Sequence, residues 1–169
     1  MTPRQAAVAL VAAMPKGVSI QQLEEFGIKA TTEQAQAITQ EVLSLNLFWI
    51  FAAIDAHIPQ KYQSAISELI MDAMETGWGT ILPVGSANWT VYLNQWQDRR
   101  RRYSRLVEEG LSPLAVGAEA ATLMEENRLI EEAERHNLLT LLIDFVPIDS
   151  YGQLLEDVGQ LRDRVLWLE

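Results

Sequence analysis

The chain has 169 residues, 49 % of them hydrophobic and 21 % charged. That composition excludes a disordered or fibrous protein and is ample for one compact domain. It has no cysteine and two histidines, His57 and His136, so disulfides, thiolate metal centres, iron–sulfur clusters, a cysteine nucleophile and His-rich metal sites are excluded. The net charge of −10 is uneven: residues 1–105 hold nine Lys/Arg and nine Asp/Glu, and residues 106–169 hold four and fourteen. An acidic surface of this kind repels nucleic acid and anionic membranes.

Helix starts are marked clearly. A Ser/Thr followed three residues later by Gln forms a capping box, because each side chain satisfies the other's free amide. The pattern recurs at Thr2…Gln5, Ser19…Gln22, Thr31…Gln34 and Ser150…Gln153, and Ser112-Pro113 is a fifth start. With Gly17, Gly27, Pro59, Gly77 and Gly110 as stops, helices are predicted over 3–14, 20–26, 32–57, 60–76, 87–109, 113–136, 137–146 and 151–168. No stretch alternates with the period of a strand.

The N-terminal stretch has neither the apolar core nor the cleavage site of a signal peptide. The longest uninterrupted apolar runs, Ala6–Met14 and Leu47–Ile54, have nine and eight residues, against about 20 for a bilayer span. A cytoplasmic protein without membrane contact is the expectation. From Val42 to Ile58 the 32–57 helix is apolar almost all round, as a helix buried on most sides must be. The predicted fold is therefore an all-α bundle of six to eight helices packed around this central apolar helix. It reads as a single helical domain over 1–169. An N-terminal subdomain over 1–31 and a division at the glycine-rich connection 77–86 are the alternatives.

Within the apolar helix, Asp55 and His57 stand out. An unpaired buried carboxylate is costly, so Asp55 needs a partner or a wet cleft. Two residues on a helix are about 200° apart, so the pair can share a pocket only if the helix ends early, before Pro59. Ser19–Leu43 has the outline of a helix-turn-helix, but residues 32–37 lack Lys and Arg, which argues against operator binding.

On the 87–109 helix, Trp89, Trp96 and Tyr103 recur every seven residues, and Arg99 and Arg100 lie within stacking reach of Trp96. Basic residues interleaved with aromatics can bind a phosphate backbone. However, four consecutive arginines wrap about 300° of a helix, and the acidic segments that follow, with Glu108, Glu109, Glu125, Glu126, Glu131 and Glu132, are natural intrachain partners. Glu132 and His136 are read as a surface pair near a helix C-terminus, where the dipole favours a cation. No metal motif and no hydrolase triad is present, and no cofactor is expected.

The function read from the sequence is a non-enzymatic interaction or assembly protein that self-associates, as a homodimer, with a protein partner or homo-oligomer as what it binds. Trp89, Tyr92, Trp96, Arg99, Arg100 and Tyr103 are the candidate contact residues, with Trp167 as a further aromatic. The alternatives are a small-ligand or enzyme pocket near Asp55 and His57, and phosphate or nucleic-acid binding through Arg99–Arg102; overall charge makes the last the least expected.

Overall fold

The computed structural model describes residues 2–161, with side chains to Glu156. Among these residues the chain is all-helical: eight α-helices and one short 3-10 turn. They group into two compact units, each made of separated stretches.

The first unit takes the chain up to Pro15, then 46–77, then from Pro147 onward. It contains α1 (Pro3–Ala13), the second half of α3 (Thr32–His57), α4 (Gln60–Gly77) and α8 (Ile148–Leu161). Helix α1 packs against α4 and α8. It buries Ala6, Ala7 and Leu10, while α4 buries Ile66, Ile70 and Met74 at four-residue intervals. Such a stripe places one face toward a core and leaves Lys61, Glu68, Asp72 and Glu75 in solvent.

The second unit takes 16–45 and 78–146. It contains α2 (Ile20–Glu25), the first half of α3, α5 (Trp89–Glu108), α6 (Pro113–Glu126), the 3-10 turn Glu132–Glu134 and α7 (Arg135–Phe145). Helix α6 packs on both α5 and α7. The glycine-rich connection is tied down by Trp78, whose indole Nε1 donates to the Ala87 carbonyl at 2.8 Å. The Trp78 ring packs on Trp89 and Tyr92, and Leu82 and Val84 are buried.

Helix α3 supplies a core segment to each unit, and every residue from Glu41 to Phe48 is buried. By length and composition α3 and the stretch Glu132–Glu156 could each cross a membrane. In α3, however, 72 % of the most apolar window is buried within the protein, as in a core helix, and the other stretch is interrupted between Phe145 and Ile148.

Two predicted boundaries and one expected burial need correction. The 113–136 helix is two elements: α6 ends at Glu126, and Arg128 adopts a left-handed backbone with φ 59°. The amides of Arg128 and Leu129 donate to the carbonyls of Glu125 and Met124, a Schellman stop made without glycine. His136 consequently lies in the first turn of α7, not near a C-terminus, and Glu132 is outside that helix; both are exposed. The Ser150…Gln153 box is not used as a cap. Helix α8 begins directly after Pro147, and the Ser150 amide donates to the Pro147 carbonyl. Finally, the last turn of α3 emerges into solvent at Asp55, Ala56 and His57.

Candidate interaction site

Helix α5 carries the residues the sequence singled out, and most of them face inward. Tyr92, Trp96, Arg99 and Tyr103 are all buried, at spacings of four, three and four that form a single helical stripe. Trp89 is half-buried and Arg100 exposed. Tyr92, Trp96 and Tyr103 are therefore core residues, and an aromatic contact surface built from them is corrected. Trp167 lies outside the described residues.

The stripe puts a guanidinium in the core, so the core must supply its counter-charge. Glu41 on α3 does so. Glu41 is 2 % exposed and Arg99 8 %. Arg99 Nη2 lies 2.8 Å from Glu41 Oε1, and Nε donates to Oε2 at 3.0 Å. Gln95 Nε2 also donates to Glu41 Oε1, at 2.9 Å. Burial alone would disfavour the Arg99 charge, but the Glu41 hydrogen bonds and charge outweigh it and raise the guanidinium's affinity for its proton. Asp98 accepts from Arg99 Nη1 and Arg102 Nε, Arg101 lies 3.9 Å from Asp98, and Arg102 also pairs with Glu119. Arg100 sits over the Trp96 ring. The acids that hold Arg99, Arg101 and Arg102 are thus Glu41, Asp98 and Glu119, not the later glutamates the sequence suggested. A buried, paired Arg99 is not presented to a phosphate.

The other buried polar groups of α3 are hydrogen-bonded too. Ser44 shares a hydrogen bond with Tyr92 Oη (3.1 Å), Tyr151 Oη donates to Asn46 Oδ1 (2.6 Å), and the Val18 amide donates to Thr39 Oγ1 (3.1 Å). Burial raises the proton affinity of the Tyr92, Tyr103 and Tyr151 phenols.

Asp55 and His57 do not form a pocket together. Helix α3 runs through both, so they point away from each other, and both are exposed. His57 lines a groove of about 650 Å³ with Trp49, Ala52 and Ala53 of α3, opposite Ile148, Asp149, Gly152, Gln153 and Glu156 of α8. Asp55 does not line it. No group of three or more His, Asp or Glu among the described residues could hold a metal ion.

The surface feature that sequence reasoning missed lies at the α5–α6 turn and the end of the α6–α7 pair. Val107, Leu111, Leu114 and Ile143 are 42, 44, 64 and 70 % exposed. Gly110 (φ 84°) closes α5, with the Gly110 and Leu111 amides donating to Val107 and Leu106. That stop turns the chain sharply and keeps Val107, Leu111 and Leu114 within one bend. Helices α6 and α7 run antiparallel: Arg135 at the start of α7 pairs with Glu125 near the end of α6, and Leu139 and Leu142 lie against Gly117. Leu114, one turn before Gly117, and Ile143, one turn past Leu139, therefore fall at the same end of that pair. Glu108, Glu109 and Asp144 are exposed beside these apolar side chains, as is Arg105. No single-segment pattern signals this cluster, because Val107 lies at the end of α5, Leu111 in the turn, Leu114 at the start of α6 and Ile143 in α7.

Comparison with protein-family models, with curated proteins and with solved structures gives no match for this chain.

Proposed function

We propose that the protein is a non-enzymatic interaction module and that its docking surface is the apolar cluster Val107, Leu111, Leu114 and Ile143. One observation carries the reading: Val107, Leu111 and Leu114 are solvent-exposed within one eight-residue span about the α5–α6 turn, and Ile143 is exposed at the same end of the α6–α7 pair. Clustered exposed apolar surface of this kind, rimmed by charge, is what binding surfaces offer, whereas single exposed aliphatics are commonplace. The polar groups buried in α3 support the same reading, since they are engaged in holding helices together.

A neutral apolar dye such as Nile red tests the surface. Its fluorescence is expected to rise with the wild-type chain and to fall to background with Leu114→Glu/Ile143→Glu. Val8→Glu, an exposed aliphatic in the other unit, should leave the signal unchanged. Equal dye fluorescence from the wild type and the Leu114→Glu/Ile143→Glu variant would sink the proposal.

A further inference from the structure

Resting on that docking surface, we infer that its occupant is a basic amphipathic helix of another protein rather than a second copy of this chain. The centre of the surface is aliphatic and its edge is acidic. Glu108 and Glu109 follow Val107, Asp144 follows Ile143, and among the described residues Arg105 is the exposed cation next to them in the chain. Arg101 and Arg102, further back on α5, are already held by Asp98 and Glu119. The neighbouring charge is therefore net negative, in the part of the chain where fourteen acids face four bases. A second copy would bring the same carboxylates against this edge, and like charges across an interface are strongly disfavoured. A helix with leucine-type residues on one face and lysine or arginine along both sides meets both features: the aliphatic residues cover Leu111, Leu114 and Ile143, and the cations meet Glu108, Glu109 and Asp144. Helix-in-groove recognition uses this arrangement of apolar anchors with charged flanks.

The test uses the full chain and a fluorophore-labelled helical peptide with leucines at i, i+3, i+4 and i+7 and lysines elsewhere. Anisotropy should show binding to the wild type, at least about tenfold weaker for the counterpart with glutamate in place of lysine. Leu114→Glu/Ile143→Glu should abolish binding. Glu108→Lys/Glu109→Lys/Asp144→Lys should weaken it by about tenfold or more, and lysine at the end of a helix is favourable for folding. The same change of charge placed elsewhere, Glu24→Lys/Glu25→Lys/Asp72→Lys, should cost much less. Equal binding of the two peptides, or equal losses from the two triple variants, would overturn the inference. A concentration-dependent dimer in light scattering that Leu114→Glu/Ile143→Glu abolishes, with no peptide binding, would overturn it too while leaving the docking surface intact. No peptide binding, no dimer and no difference in Nile red fluorescence would remove both.

Discussion

Arg99 places a charge inside the second unit that only a buried partner can balance. Its guanidinium and the Glu41 carboxylate are both almost fully buried, so removing either one strands the other in a poorly polar interior. Glu41→Leu or Arg99→Met should each lower the unfolding free energy by about 3–5 kcal/mol, and the double variant by much less, because no isolated charge then remains. Equilibrium denaturation of the three variants measures this. The tyrosines give a second prediction. Tyr92, Tyr103 and Tyr151 bind their protons more tightly in the folded protein than in the unfolded chain, where a phenol titrates near pH 10. Above that pH the unfolded chain sheds protons that the native protein retains, so stability is intact below about pH 10 and falls as pH rises, by up to about 4 kcal/mol per pH unit for three phenols. Absorbance at 295 nm should show these three ionising only as the protein unfolds. The inward position of Arg99 was legible in the sequence, since Tyr92, Trp96, Arg99 and Tyr103 share one helical stripe. Its partner was not: Glu41 lies 58 residues earlier, and nothing local marks which helix will pack on α5.

Helix ends show the same division between local and distant information. The boxes Thr2–Gln5, Ser19–Gln22 and Thr31–Gln34 are present as written, with both hydrogen bonds in each, because every atom involved lies within four residues. The end of α6 was hidden because Arg128 takes the left-handed position that Gly27 and Gly110 take elsewhere. Two contacts from distant segments accompany that conformation: Gln34 Nε2 donates to the Arg128 carbonyl at 3.0 Å, and Glu134 Oε2 accepts from the Lys29 amide at 2.8 Å. A side chain in that region costs about 1 kcal/mol or more relative to glycine. Arg128→Gly is therefore expected to stabilise the protein by about 1 kcal/mol, and Gly110→Ala to destabilise it by a similar amount. Thermal and chemical denaturation would show opposite shifts. The Ser150…Gln153 pattern is instructive in the other direction, because the motif is intact but Pro147 starts α8 three residues sooner.

At the scale of the whole molecule the charge of −10 sets how binding should respond to salt. Between about 0.01 and 0.1 M ionic strength the screening length falls from about 30 to about 10 Å. Binding of the lysine-bearing helix should weaken over this range, whereas association between two acidic copies should strengthen; titration at the two ionic strengths measures both. The all-α fold was legible because helix periods and caps are written in nearly every segment. The proposed docking surface was not, because Ile143 lies far along the chain from Val107, Leu111 and Leu114 and is brought to their end of α6 only by the packing of α7. The interleaved division of the chain also has a consequence for biosynthesis. The second unit is complete once residue 146 has left the ribosome, whereas the first, although it includes α1, lacks α8 until residues 148–161 emerge. The unit that holds α1 is thus the later of the two to be completed, against the usual sequential order, and α1 waits for α8, one of the helices it packs against.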